Sequence, residues 1–148
     1  MTTFVPDDFD VPLLLVNDSF AIEPLGPEHN ERDYEAWTSS ISHIRATHGY
    51  AGRGWPAPMT LAQNLRDLER HHDEFVRRAA FAYTVLDPND DSVIGCVYVE
   101  PDPTRIGAAL VRSWVRASRA ELDEELRESV VSWLEREWPF TSVSCPAE

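Results

Sequence analysis

Residues Ser113–Ser129 read SWVRASRAELDEELRES. The stretch opens as the end of an alternating apolar run, ALVRSWV (Ala109–Val115), and passes without a glycine into residues spaced as a helix. Leu122, Leu126, Val130, Trp133 and Leu134 recur at intervals of three and four, one face of a helix from about Arg119 to Trp138. Pro139 stops it, and FTSVSC (Phe140–Cys145) reads as a further strand. A strand, a helix and a strand in that order are joined by a right-handed crossover that leaves the two strands parallel. Phe140–Cys145 is therefore expected beside Ala109–Val115, which makes the protein α/β.

Upstream, FAYTVL (Phe81–Leu86) and VIGCVYVE (Val93–Glu100) precede Ala109–Val115, separated by the turn-rich linkers DPNDDS and PDPTRIG. Such linkers predict an antiparallel meander, so the sheet is mixed. Before it lie two helical segments. Tyr34, Trp37, Ile41 and Ile44 mark one face from Asn30 to about Thr47, with Asn30 as cap and Asp33 in the first turn. Thr60-x-x-Gln63 fits a capping box, followed by a stripe of Leu61, Leu65, Leu68, His72, Phe75 and Ala79. FAIEPL (Phe20–Leu25) reads as the first strand, stopped by Gly26 and Pro27. The order is β-α-α-β-β-β-α-β, in one domain over residues 19–148. Residues 1–18 form an N-terminal arm whose Leu13–Leu15 are expected to pack on the rest.

Composition narrows the function. With 13 basic against 26 acidic residues the formal charge is −13, against nucleic acid and anionic membranes as partners. Every basic residue is arginine, which excludes a Schiff-base lysine. VPLLLV (Val11–Val16) is far below the roughly 20 residues of a membrane span. The acidic start MTTFVPDDFD does not read as a secretory signal, so a cytoplasmic location is expected. Cys96 and Cys145 are expected to be reduced thiols. His71-His72-Asp73-Glu74 offers four possible ligands in a row, but adjacent helical residues point about 100° apart and cannot converge. No metal site is expected, and His72 is expected in the core.

Arg112, Arg116 and Arg119 crowd the strand–helix junction, and Arg112, Trp114 and Arg116 share one face of an extended chain. A helix amino-terminus beside arginines suits an anion. Against this, Ser118-x-x-Glu121 is itself a capping box that would take the same N–H groups. The loop HGYAGRGWPAPM (His48–Met59), irregular and aromatic, is the kind that carries function.

The element order, with AIEPLGPEHNERDYEAW (Ala21–Trp37), TLAQNLRDLERHHDEF (Thr60–Phe75) and FAYTVLDPNDDSVIGCVYVEP (Phe81–Pro101), resembles the GCN5-related N-acetyltransferase (GNAT) family. The resemblance runs from about Phe20 to the end. It implies transfer of an acetyl (acyl) group from acetyl-CoA to a small-molecule or peptide amine. The cofactor would lie along Val111, Trp114 and Val115, with Arg116, Ser118 and Arg119 at its pyrophosphate. His48, Tyr50, Arg53 and Trp55 would line the acceptor site, and Glu100 would serve as base. Two features depart from the family pattern. Its signature Q/R-x-x-G-x-G/A is matched only by RASRAE (Arg116–Glu121), with Arg119 and Glu121 at the small positions and no glycine after Gly107. The chain is also short of the family's usual last helix and two strands. Acetyl-CoA binding is therefore expected to be weak and salt-dependent, or absent. The alternative is a catalytically degenerate GNAT-like module that binds a ligand or a protein partner. A last strand at Phe140–Cys145 would be an open edge, which a second copy or the Leu13–Leu15 arm is expected to cover.

Overall fold

The computed structural model describes residues 4–146. The first three residues of the arm and the last two of the chain lie outside the described residues. Six strands follow one another across a single sheet: β1 (Leu15–Val16), β2 (Ala21–Pro24), β3 (Phe81–Leu86), β4 (Val93–Pro101), β5 (Ala109–Val115) and β6 (Val143–Ser144). All neighbours are antiparallel except β5 and β6, which run parallel with Ala109 opposite Val143 and Leu110 opposite Ser144. The crossover expected from the Ser113–Ser129 stretch is present. The final strand is shorter than the six residues of FTSVSC.

The first helical segment is broken into α1 (Asn30–Thr38) and α2 (Ile41–Arg45). Three hydroxyls in a row explain the break. Thr38 Oγ1 donates to the Tyr34 carbonyl at 2.6 Å and Ser39 Oγ to that of Ala36 at 3.0 Å, competing with the ladder. Ser40 then leaves helical geometry at φ −136°, ψ 22°. Asn30 is the first residue of α1 rather than its cap.

Helix α3 (Leu61–Val76) starts with the expected capping box. Gln63 N–H donates to Thr60 Oγ1 at 3.1 Å, and Thr60 N–H to Gln63 Oε1 at 2.7 Å. Its inward face is turned by about one residue from the expected stripe. Asn64 and Leu68 are buried and His71 and Phe75 half-buried, whereas Leu61 and His72 are exposed. His72 is therefore a surface residue, and His71 takes the inward place.

The last helix also differs. Ala117–Leu122 is 3-10 and α4 (Asp123–Glu137) begins after it, with Arg119 out of helical geometry at φ −126°, ψ 30°. The Ser118/Glu121 capping box does not form. Arg119 N–H closes a turn onto the Arg116 carbonyl at 2.9 Å instead.

Alternation along the strands divides the core. One face carries Tyr83, Val97, Val111 and Val115 against Leu126, Val130 and Trp133 of α4. The other carries Ala82, Cys96 and Trp114 against Trp37, Ile44 and Leu68. Cys96 and Cys145 are free thiols, the first buried and the second half-buried, and burial raises the pKa of both. The arm crosses the α4 side: Val5 is fully buried, Phe4 stacks on Phe140 at 5.0 Å, and Tyr83 Oη donates to the Pro12 carbonyl at 2.7 Å. Leu13 and Leu14 are exposed, contrary to expectation, and only Leu15 enters the sheet, at the edge opposite β6. No helix among the described residues is long and apolar enough to cross a membrane.

Candidate functional site: a charged cleft and the strand–helix junction

A cleft of about 280 Å³ opens between α1, α3, the loop before α3 and the strand pair β4–β5. Tyr50, Arg53, Trp55 and Glu100 all line it, as do Asp33, Asn64, His71, Tyr98 and Arg112, which the sequence did not single out for it. His48 lies elsewhere, exposed on a shallow groove with Glu128 of α4 and Cys145.

Each side chain reaches the cleft for a local reason. Asp33 lies one turn into α1 on its buried side. Asn64, Leu68 and His71 recur along the inner face of α3. Tyr98 of β4 stands opposite Arg112 of β5, and Cys96 opposite Trp114. The loop turns back through Gly49 at φ +95°, a conformation that favours glycine, and seats Tyr50 inside. Trp55 then packs at a tilt against Trp37, Tyr50 and Trp114, with ring centroids 5.6, 5.9 and 6.1 Å away.

Asp33 is 4% exposed and has no cationic partner within salt-bridge distance among the described residues. Asn64 Nδ2 donates to Asp33 Oδ2 at 3.1 Å and to Asn30 Oδ1 at 2.8 Å, while Trp37 Nε1 holds Asn64 Oδ1 at 3.0 Å. Burial raises the Asp33 pKa to about 6 against the opposing pull of the Asn64 hydrogen bond. His71 packs on the Tyr98 ring at 5.4 Å. Burial, helped by Arg70, lowers its pKa to about 4, so it is neutral at pH 7. Tyr98 Oη accepts from Trp114 Nε1 at 3.1 Å. Among the described residues, Tyr50 Oη is buried with no hydrogen-bond partner. Arg112 Nη1 donates to Glu100 Oε1 at 2.6 Å, and its buried Nε has no partner among them. Glu100, the expected base, is thus held by a guanidinium.

The junction expected to meet a pyrophosphate has its donors engaged. Ala117 N–H donates to Ser40 Oγ at 2.8 Å. Arg116 pairs with Glu35 and reaches the Val93 carbonyl at 3.3 Å, and Arg119 pairs with Asp87 at 2.9 Å and Glu121 at 3.6 Å. Ser118 is exposed. With both arginines neutralised, the amides of Ala117 and Arg119 taken and no glycine in the turn, the junction as folded does not fit a coenzyme A pyrophosphate.

The edge of β5 is a different matter. Arg116 N–H donates to the Ile94 carbonyl at 2.8 Å, which turns the even-numbered residues of β5 toward β4. Val111, Ser113 and Val115 therefore direct their backbone groups to the other edge, and among the described residues β6 pairs there only with Ala109 and Leu110. The side chains of Val111, Trp114 and Val115 are buried in the core.

No family model matches the sequence, and no curated protein does. Solved structures do match, and three of them share its fold at low identity. The first is the ribosomal-protein-S5-alanine acetyltransferase of Vibrio fischeri: TM-score 0.64, 14% identity, 84% of this chain and 67% of that one. The second is an acetyl transferase of Salmonella typhimurium that modifies the N-terminal serine of a ribosomal protein: 0.66, 9%, 85% and 69%. The third is the microcin C7 self-immunity acetyltransferase MccE, solved with acetyl-CoA and AMP: 0.62, 13%, 84% and 66%. The chain thus spans about two thirds of the length of each, and its architecture is that of the GNAT acetyltransferases.

Proposed function

We propose that this chain is a GNAT-fold protein that holds a small primary amine in its cleft, with the ammonium at Asp33. Asp33 itself carries the reading: a buried carboxyl lining the cleft, fixed by Asn64 and in no ion pair among the described residues. Isolating such a charge costs free energy that an incoming ammonium recovers by completing the pair. Aromatic walls at Trp55 and Tyr98 suit the rest of a cationic ligand. With the junction closed, the phosphates of coenzyme A add little to this binding. Calorimetry with small primary amines and their uncharged analogues tests the proposal. Binding of the amines, lost in Asp33→Asn, supports it; equal binding of the uncharged analogues overturns it.

A second reading keeps acyl transfer from acetyl-CoA to that amine, and the bare β5 edge favours it. In it the backbone of Val111–Val115, beside Trp114, receives the pantetheine arm. Arg116, Ser118 and Arg119 meet the phosphates after exchanging their carboxylate partners. Asp33, or Glu100 once freed from Arg112, takes the ammonium proton. The exchange gives up the pairs of Arg116 with Glu35 and of Arg119 with Asp87 for contacts to phosphate, and it is sensitive to salt. An acetyl-CoA titration at low and high salt separates the readings: binding at low salt favours transfer, and none at either salt leaves the amine-binding module. Pairing of two copies through the outer edge of β6 is proposed as well, and sedimentation tests it.

A further inference from the structure

The charge in the cleft is not uniform along its length. At one end the field of Asp33 reaches the Tyr98 hydroxyl; at the other Tyr50 lies near Arg112 and Arg53, with Cys96 and Glu100 acting against them. The arginine end holds unused donors. Tyr50 lines the cleft and is 3% exposed, and its buried hydroxyl has no partner among the described residues. Arg112 Nε is buried and has no partner among the described residues, although Glu100 holds the same guanidinium through Nη1. Arg53 sits exposed at the mouth and forms no ion pair among the described residues. A buried hydroxyl left unmatched costs free energy, and an incoming acceptor removes that cost.

These donors call for an anionic acceptor, and the opposite end calls for an ammonium. We infer that the ligand of the cleft is a small zwitterion of amino-acid type, its ammonium on Asp33 and its carboxylate on Tyr50 with Arg53 and Arg112. The volume agrees: about 280 Å³ is at or below the small end of ordinary ligand pockets, roughly 300–1,000 Å³, and suits a single amino acid or short dipeptide rather than a nucleotide. Leu25, Leu68 and the Trp55 ring line the same cleft and supply an apolar surface for the ligand's side chain. This inference rests on the amine reading above and adds the carboxylate half to it.

The probes are the twenty protein amino acids and their primary amides, compared by calorimetry on the whole chain. At least one amino acid is expected to bind tenfold or more tightly than its amide. Arg53→Ala, an exposed change, and Tyr50→Phe, which keeps the ring, should each erase most of that preference by weakening the acid far more than its amide. Equal binding of an acid and its amide, or a preference that survives both substitutions, overturns the carboxylate half and leaves the amine site standing. Binding by neither series overturns both.

Discussion

Ser40 Oγ accepts the backbone N–H of Ala117 at 2.8 Å, a contact spanning 77 positions of the chain. It joins the break between α1 and α2 to the first turn after β5. On the acetyl-CoA reading proposed above, a phosphate would have to displace this hydroxyl from the amide, and Glu35, in α1, from Arg116 beside it. The α1–α2 corner thus supplies from within the chain the oxygens that a cofactor would bring. Ser40→Ala combined with Glu35→Gln should free one amide and one guanidinium without touching the core packing of Trp37. Calorimetry at low salt should then show coenzyme A binding at least tenfold tighter than in the unaltered chain. No gain in a folded double variant would mean that the missing glycines, not the engaged donors, close the site.

Asp33 should trade stability for binding. Its carboxyl titrates near 6 in the folded chain against 3.8 as a free side chain, so the folded state holds a proton that the unfolded state has released between those values. Stability contributed by this group is full below about pH 3.8 and falls as the pH rises through 6. The loss amounts to roughly 3 kcal/mol at neutral pH, taking about 1.4 kcal/mol per unit. Asp33→Asn keeps the shape and a hydrogen bond to Asn64. Its melting temperature should exceed that of the unaltered chain at pH 7.5, with the advantage gone by pH 4, while amine binding is lost.

His71 carries the opposite sign. Its pKa is lowered to about 4 from 6.5, so the unfolded chain binds the extra proton between those values. Stability from the neutral ring is present above pH 6.5 and lost as the pH falls through 4. Over much of one interval the two groups offset each other. In His71→Phe, measured as a difference from the unaltered chain, the melting temperature should improve steadily from pH 6.5 to 4. A difference that stays flat would show that His71 is not desolvated by Tyr98 and α3.

The sheet was legible in the sequence because its signals are local. Alternating runs, Asp- and Pro-rich linkers and one strand–helix–strand unit fixed the strand order and the parallel β5–β6 pair. What stayed hidden depends on contacts between distant segments. The Tyr34, Trp37, Ile41 and Ile44 pattern continues smoothly across Ser39 and Ser40, so nothing in its period marks the break. Only the run Thr38-Ser39-Ser40, three hydroxyls able to bond backwards, hinted at it. Ser118 and Glu121 satisfy the capping pattern, yet residues 117–122 form a 3-10 turn with Arg119 out of helical geometry, and Ser40, 77 positions away, holds the amide of Ala117 at its start. On α3, His71 and His72 are adjacent, and a phase error of one residue put the wrong histidine inward. Asp33 looked like an ordinary first-turn acid; its burial arises from Asn64, which only the packing of α1 on α3 brings near.

Gly95 is held to its identity by a close approach. A Cβ built there would lie 1.9 Å from the Trp114 carbonyl oxygen, on backbone that cannot swing aside, within the β4–β5 pairing that seats Trp114 beneath the cleft. Gly95→Ala should cost about 1–3 kcal/mol or more by forcing the strands apart. Chemical denaturation should show the loss, accompanied by a change in tryptophan fluorescence. An alanine variant as stable as the original would mean that the strands can separate there at no cost.

Glu100 and Arg112 decide between two uses of one carboxylate. Their hydrogen bond at 2.6 Å joins a half-exposed acid to a mostly buried guanidinium, so the pair is anchored from the Arg112 side. If Glu100 serves only to neutralise Arg112, Glu100→Gln leaves a guanidinium with more charge to offer the carboxylate of a ligand. Affinity for an amino acid should then rise several-fold, while affinity for its amide stays the same. If Glu100 is instead the base of an acyl transfer, the same substitution should abolish turnover with acetyl-CoA and leave amine affinity unaltered. Calorimetry with acid and amide, run beside an assay for free thiol, reads both outcomes on one variant. A rise in affinity without any thiol release from the unaltered chain would place Glu100 in ligand recognition. Loss of thiol release with unchanged affinity would give it the proton.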